Sequence, residues 1–113
     1  MTKIWMNWDT LTLKADGHAG GGPAGQNIIC AGISAITQAL LNYLLNEKEK
    51  GFVETEWRIN PKSGSLRIRA KPFAGHTTAT KACYRMAMIG LKAIEENYPG
   101  NIEIKEVGNS GIV

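Results

Sequence analysis

A long uncharged segment, Asn27–Asn46, most constrains what this chain can fold into. Its twenty residues are about enough to cross a bilayer as a helix. The segment nevertheless carries polar side chains, at Asn27, Ser34, Thr37, Gln38, Asn42 and Asn46. The strands predicted around it alternate polar and apolar residues, and their apolar face needs a helix to cover it. We therefore expect a core helix and no membrane span.

Residue alternation and turn signals predict five strands and two helices in the order ββαββαβ. The predicted strands are Lys3–Trp8, Thr10–Asp16, Phe52–Ile59, Ser65–Lys71 and Asn101–Val107. The predicted helices are Gln26–Lys48 and a second one from Thr77 or Thr78 to about Asn97, with Gly17–Gly25 as a glycine-rich loop before the first. Strands with one wet face are typical of antiparallel sheets. The predicted fold class is α+β, a two-layer domain with a mostly antiparallel sheet and both helices on one face.

Length and charge favour one small domain. The 113 residues are 43% apolar and 20% charged, which suffices for a single core. We expect residues 1–113 to form one domain, with 108–113 as a loose tail. The net charge of +3 suits contact with an acidic assembly, but it is far from a basic tail. We therefore do not expect the main function of this protein to require direct nucleic-acid binding.

The two cysteines, Cys30 and Cys83, form neither a CxxC motif nor a zinc pattern. Met1–Asp16 alternates polar and apolar residues and lacks the apolar core of a secretory signal. We expect reduced thiols, a cytoplasmic location and no metal or cofactor.

Both predicted helices are apolar on most of their circumference. The first carries Ile33, Leu40 and Leu44 among many others, and the second Met86 and Ile89. One small sheet cannot cover two such helices, so apolar helix surface would remain exposed. The sequence therefore predicts a homodimer joined through its helices.

The glycine-rich loop matches the glycine spacing of two phosphate-binding motifs, but the rest of the sequence fits neither motif. Gly20, Gly22 and Gly25 match a dinucleotide fingerprint, but the chain is too short for the doubly wound sheet that it requires. Gly20 and Gly25 have P-loop spacing, but Gln26 and Asn27 stand where Lys and Ser or Thr are needed. The remaining interpretations are a plain connection and a mobile substrate loop at Gly20, Gly21, Gly22 and Gly25.

Cys30 and His18 are the candidate catalytic pair. The predicted helix places Cys30 near its start, where backbone N–H groups favour a thiolate. An imidazole beside it can take up the thiol proton. For an arbitrary Cys and His, a structural thiol and a surface imidazole are the commoner roles.

The motif around these two residues resembles a known family. Gly17-His18-Ala19, followed by Gly25-x-Asn27-Ile28-Ile29-Cys30-Ala31-x-Ile33-Ser34-Ala35, is similar to the signature of the ribosomal-processing cysteine proteases, the Prp family. Their pattern is roughly G-H-A, a short loop, then G-x-D-I-V-C-A-A-V-S-A. The resemblance covers most of the chain, including Leu91–Ile94, Tyr98-Pro99 and Ile102–Ile104.

The resemblance implies a small dimeric cysteine endopeptidase with Cys30 as nucleophile and His18 as general base and later acid. Its relatives remove an N-terminal extension from a large-subunit ribosomal protein. Similar phage or prophage enzymes process capsid or scaffold proteins. The glycine-rich loop would order over the substrate peptide.

Asn27 departs from the family pattern, which has Asp three residues before the cysteine. Asn can orient an imidazole, but it cannot stabilise an imidazolium by charge. As helix caps, Asn and Asp are nearly equal. Together with the tri-glycine loop, this departure suggests a divergent branch, of phage or prophage origin. Ser34 lies one turn after Cys30 and either contacts the site or bonds back to a carbonyl of the previous turn.

Other residues are assigned structural roles. His76 is a spare candidate base but is expected at the surface, Cys83 is expected in the core, and Trp57 is expected to pack. The basic strip Arg58, Arg67, Arg69 and Lys71 is interpreted as a solvated face. Two rival functions remain, a ribosome- or virion-associated binding module with a degenerate site and a thiol redox protein.

Overall fold

The computed structural model describes residues 1–17, 24–60 and 62–109, with the backbone alone for residues 24–27. The elements are β1 (Thr2–Asn7), β2 (Thr12–Asp16), α1 (Ala24–Glu49), β3 (Val53–Asn60), β4 (Ser65–Pro72), α2 (Thr77–Asn97) and β5 (Ile102–Val107). This order matches the predicted ββαββαβ arrangement, and the α+β fold class is confirmed.

The described strands form one five-stranded sheet in the order β3-β4-β2-β1-β5. β1 pairs with β5 in parallel, and the other three pairings are antiparallel. At one end of the sheet, β2 and β3 finish while β1, β4 and β5 begin. We call this the site end, because the cysteine groove described below lies there.

The core lies between the helices and the inward face of the sheet. Strand alternation places Ile4, Met6, Leu13 and Ile68 inward, and all are fully buried. α1 adds an apolar stripe of Ile29, Ile33, Leu40, Leu41 and Leu44, and α2 adds Tyr84, Met88 and Leu91. By length and composition alone, Ile28–Glu49 could cross a membrane, but a core helix meets the same criterion. The stripe that α1 contributes to the core supports a core helix.

The helices approach each other closely at two glycines. A Cβ on Gly90 would lie 2.9 Å from the Cδ1 atom of Ile36, and one on Gly32 would lie 3.4 Å from that of Ile94. The two glycines thus let α1 and α2 pack side by side over one small sheet.

Two element boundaries differ from the prediction. β2 begins at Thr12 instead of Thr10, because Asn7 closes a turn before it. The Asn7 Oδ1 atom accepts hydrogen bonds from the backbone N–H groups of Asp9 (2.9 Å) and Thr10 (3.3 Å). Leu11 leaves this turn with a left-handed φ of 50°.

α1 begins at Ala24 instead of Gln26. Gly25, predicted to belong to the glycine-rich loop, is therefore a helical residue, and the loop boundary differs from the prediction. Sequence signals locate a helix end only to within about two residues.

The segment after β5 was predicted to be a loose tail. Gly108 and Asn109 lie against the β1–β2 turn, where the Asn109 N–H donates a 3.1 Å hydrogen bond to Asp9 Oδ1. Residues 110–113 are outside the described part of the chain.

Candidate active site

Cys30 lies in a groove at the site end of the sheet. The groove has a volume of about 300 Å³. It is lined from α1 by Cys30, Ile33, Ser34, Thr37, Gln38 and Leu41, and from the sheet and its turns by Thr2, Ala15, Gly17, Ile59, Asn60, Gly64, Ser65 and Leu66. The cysteine is half-buried and packs against the core on its other side. Its sulfur therefore sits on the rim of the core beside an open groove, where a peptide could reach it.

The helix places Cys30 and Ser34 on one face. They are one turn apart, and both line the groove. Ser34 is exposed there. The hydroxyl that bonds back in this part of α1 is that of Thr37, which donates to the carbonyl oxygens of Ile33 (3.0 Å) and Ser34 (3.3 Å). Of the two predicted roles of Ser34, its position favours contact with the site.

Because α1 begins at Ala24, Cys30 is in the second turn of the helix. The helix dipole acts mainly within the first turn. Cys30 therefore lies beyond the part of the helix where that dipole is strongest.

Gly17 fixes the path of the chain out of β2 toward the segment that follows. Its φ of +88° is left-handed, and a Cβ there would lie 2.9 Å from the backbone oxygen of Met1. The Thr2 hydroxyl donates a long 3.4 Å hydrogen bond to the Gly17 carbonyl. Only glycine combines an easy left-handed φ with the absence of a Cβ atom. The first residue of the Gly17-His18-Ala19 motif therefore shapes the backbone.

Several predicted site residues fall outside the described part of the chain. His18, Gly20, Gly21 and Gly22 lie in the interval 18–23, and the side chain of Asn27 is not described. The structure thus brings Cys30, Ser34 and Gly17 to one groove. It does not test the pairing of Cys30 with His18.

His76, the spare candidate base, lies elsewhere. It precedes α2 at the opposite end of the sheet, where its ring stacks on Phe52 with centroids 4.0 Å apart. Its carbonyl oxygen accepts hydrogen bonds from both the N–H (3.1 Å) and the hydroxyl (2.7 Å) of Thr80. His76 does not line the Cys30 groove, and its contacts are those of a helix start.

Cys83 differs chemically from Cys30. It is half-buried on α2 and packs against the core, as predicted. Burial, together with the charge of Glu47, raises the pKa of the Cys83 thiol to about 11. Cys83 is thus held as a neutral thiol at physiological pH.

The sheet wall of the groove was missed by the sequence analysis. Ile59 and Asn60 end β3, and Ser65 and Leu66 begin β4, far along the sequence from Cys30. Trp57, two residues before Ile59, was expected to pack, but 46% of it is exposed. The Lys48 ammonium lies 5.6 Å from the centroid of its ring. The alternation of residues along a strand predicts which side chains face the helices. It does not predict which of those side chains the helices leave exposed.

Within the described residues, no cluster of three or more His, Cys, Asp or Glu side chains is arranged to hold a metal ion.

Comparison with known proteins decides the family. The family model described as "Cysteine protease Prp" matches residues 1–103. The chain belongs to the cysteine protease Prp family. It is accordingly a cysteine protease, and the predicted resemblance is confirmed.

Solved structures share the Prp fold. A ribosomal processing protease Prp from S. aureus with a covalently linked product peptide superposes with a TM-score of 0.77 at 22% identity, covering 95% of this chain and 100% of that one. A complex of S. aureus Prp with a substrate peptide gives 0.73 at 22% identity, with coverage of 94% and 97%. The protein SMU.848 of Streptococcus mutans gives 0.72 at 19% identity, with coverage of 96% and 93%. A comparison with curated protein sequences gives no significant match.

Proposed function

We propose that this chain is an endopeptidase that removes an N-terminal extension from a large-subunit ribosomal protein by Cys–His acyl transfer. The observation that carries this proposal is the placement of Cys30, the cysteine of the family motif, in an open groove that Gly17 also lines. The S. aureus Prp is an essential ribosomal processing protease, solved once with a covalently linked product peptide and once with a substrate peptide. That description supports the choice of substrate.

Chain connectivity supports His18 as the partner of Cys30. Gly17 lines the groove, and His18 is the next residue in the sequence. Consecutive Cα atoms are about 3.8 Å apart, so the imidazole belongs to a residue that is covalently tied to the groove wall. His76, by contrast, lies at the far end of the sheet, stacked on Phe52.

The reaction uses these two groups and water. The Cys30 thiol transfers its proton to a ring nitrogen of His18, and the thiolate attacks the scissile carbonyl carbon. His18 then protonates the leaving amine as the C–N bond breaks, which leaves a thioester on Cys30. His18 takes a proton from water, whose oxygen attacks the thioester. The second product leaves with a carboxylate, and the Cys30 thiol is restored.

The groove walls supply the substrate contacts. Ile59, with 54% of its surface exposed, and Leu66 form an apolar wall from the sheet, and Ser34 and Gln38 present polar groups from α1. An extended peptide in this groove would place apolar side chains against Ile59. The segment Gly20–Gly22 would then close over the peptide.

Asn27 and Ser34 are the proposed supporting residues. If Asn27 orients His18, an Asn27→Asp variant should cleave faster, because a carboxylate also stabilises the imidazolium. If Asn27 only caps α1, the rate should stay unchanged.

Cleavage of tagged precursors tests the proposal. The wild-type chain and its Cys30→Ala and His18→Ala variants would be incubated with a ribosomal protein precursor and, separately, with a phage capsid or scaffold precursor. We expect the wild type to cut the ribosomal precursor and both variants to lose activity by at least a thousandfold. Cleavage of the capsid or scaffold precursor alone would indicate that the substrate is a phage protein. Absence of cleavage of either would favour the non-catalytic binding module.

We further propose that the cytoplasmic enzyme is a homodimer joined through its helices. Met86 and Ile89 are 78% and 64% exposed on α2, and Tyr43 is exposed on α1. Large apolar side chains at such positions invite association. Met86→Lys combined with Ile89→Lys should convert a dimer to a monomer in sedimentation equilibrium, whereas Phe73→Lys, at the far end of the sheet, should not. A wild-type chain that sediments as a monomer would refute the proposal.

A further inference from the structure

The face of the sheet that turns away from the helices carries a row of cations that the protease site does not use. The strand register places Arg58 opposite Arg67, Arg67 opposite Lys14, Lys14 opposite Trp5, and Trp5 opposite Lys105. The row crosses all five strands. The four cationic side chains are exposed, and Trp5 is half-buried. We call these five residues the cationic row.

The neighbouring rows on the same face are built differently, because they alternate in charge. On one side, Lys3 lies between Asp16 and Glu103. On the other, Arg69 lies opposite Glu56. In the cationic row, no carboxylate stands opposite any of the four cations. The flanking rows thus place these cations opposite carboxylates, and the cationic row does not.

The cations of the row also lack ion-pair partners elsewhere in the described part of the chain. The ion pairs there are Lys50–Glu47 and Lys92–Glu106, and both lie on the helix side of the molecule. Like charges directly opposite each other on a sheet destabilise it. The row holds two such pairs, Arg58–Arg67 and Arg67–Lys14, which cost the free protein stability, and an anionic partner would reduce that cost.

Trp5 indicates which kind of anion fits. The Lys14 ammonium lies 5.3 Å from the centroid of the Trp5 ring, and Lys105 flanks the ring on the other neighbouring strand. Lys3, Trp5, Lys14 and Lys105 line a shallow depression of about 450 Å³, which Asp16 and Glu103 close toward the site end. An aromatic ring between cations is the arrangement on which single-stranded nucleic acids stack their bases while phosphates meet the charges.

We propose that the cationic row binds a short single-stranded stretch of nucleic acid, with one base on Trp5 and phosphates against Arg67, Lys14 and Lys105. Four strand spacings make the row about 19 Å long, enough for a few nucleotides. On binding, the Lys14 ammonium moves from the ring to a phosphate, and the base takes its place. A duplex fits less well, because its bases are already stacked on each other.

The row and the Cys30 groove lie on opposite faces of the sheet. Arg67 and Lys14 point outward, whereas their neighbours Leu66 and Ala15 line the groove on the inward side. Nucleic acid and peptide can therefore be bound together. The proposal stands independently of which protein the protease cuts.

Fluorescence anisotropy of the full chain with a labelled single-stranded RNA of about a dozen nucleotides tests the proposal. The row variant Lys14→Ala/Arg67→Ala is compared with Lys50→Ala/Arg85→Ala, which removes the same charges from the helix layer. We expect the row variant to bind at least tenfold more weakly and the control less than twofold. The slope of log affinity against log salt should flatten by about 1.4 in the row variant, since each phosphate contact contributes about 0.7.

Substitution of Trp5 separates stacking from charge. Trp5→Leu should weaken binding about tenfold, and Trp5→Phe should retain most of it. If circular dichroism shows that Trp5→Leu does not fold, RNA binding by Trp5→Phe and by the charge variants tests the proposal instead. A single-stranded DNA of the same sequence shows whether the 2′-hydroxyl contributes, and binding of either strand supports the proposal.

Three results would overturn it. In the first, the wild-type chain binds neither RNA nor DNA at low salt. In the second, the row variant and the control variant weaken binding equally, which indicates that the charge acts diffusely. In the third, polyglutamate of the same length binds as tightly and Trp5→Leu has no effect, so that the row is a surface for acidic protein. Peptide cleavage by the row variant should remain at the wild-type rate.

Discussion

Gly17 and Cys30 line the same groove, one just after the end of β2 and the other in the second turn of α1. The sheet and the helix layer thus each contribute one end of the family motif. The sheet side of the motif begins with a glycine whose backbone conformation no other residue readily adopts.

Gly17→Ala should therefore lower both stability and cleavage. The substitution places a Cβ 2.9 Å from the backbone oxygen of Met1 and forces alanine into a left-handed conformation that costs about 1–2 kcal/mol. We expect a loss of more than about 2 kcal/mol in urea unfolding and a clear drop in kcat. Gly75→Ala is the matched control, because Gly75 has φ +90° and no atom lies within 4 Å of the point that its Cβ would occupy. Equal effects of the two substitutions would remove the special role of Gly17.

The two cysteines should differ in alkylation. A thiol with a pKa of about 11 is almost wholly protonated at pH 8, so Cys83 should react slowly with iodoacetamide in a Cys30→Ala variant. Its rate should still be rising between pH 9 and pH 10. In a Cys83→Ala variant, Cys30 should react at least tenfold faster at pH 8. Similar rates at the two positions would argue against an activated Cys30 and for the binding module.

Ile59 should contribute to substrate affinity more than to chemistry. Its exposed half lines the groove, and covering about 40 Å² of that surface with a substrate side chain is worth about 1 kcal/mol. Ile59→Ser should raise KM about fivefold with little change in kcat in a peptide cleavage assay. Phe73→Ser removes an equally exposed apolar side chain at the far end of the sheet, and it should change neither constant. A selective fall in kcat for Ile59→Ser would mean that the side chain positions the catalytic groups.

Glu106 should make stability depend on pH. Burial alone would raise the pKa of Glu106, but hydrogen bonds from Lys92 (2.6 Å) and from the Trp8 indole (3.0 Å) outweigh it, so that the pKa is lowered. A carboxylate whose pKa is lower in the folded state stabilises the fold above its unfolded pKa, and this contribution disappears as the pH falls through the folded value.

Glu106→Gln should therefore destabilise the protein at pH 7 by about 1 kcal/mol, discounted for the partial exposure of the pair, and by less at pH 3. Thermal unfolding at several pH values measures the difference. Glu96→Gln, at an exposed position on α2, is the control for removal of a carboxylate. A constant penalty for Glu106→Gln across this range would contradict the assignment.

The strands and helices were predictable because polar and apolar residues alternate in step with the backbone. Leu13 and Ala15 face inward and Lys14 outward, as expected. The start of β2 was not predictable in the same way, since the Asn7 side chain caps a turn that the alternation pattern cannot register. The parallel pairing of β1 with β5 depends on contacts between the two ends of the chain, which local patterns do not encode.

The site was predictable where a motif carries it. Cys30 and Ser34 were found from their resemblance to the family motif, and both line the groove. The wall formed by Ile59 and Leu66 was missed, because nothing in their own segments relates them to a cysteine on α1. The cationic row was missed for a related reason: Trp5, Lys14 and Arg67 become neighbours only through strand register.

Close contact between Met1 and Gly17 has a practical consequence for handling this enzyme. A purification tag fused ahead of residue 1 would emerge at the mouth of the groove and could compete with peptides for entry. Kinetic work should therefore remove any amino-terminal fusion before rates are compared.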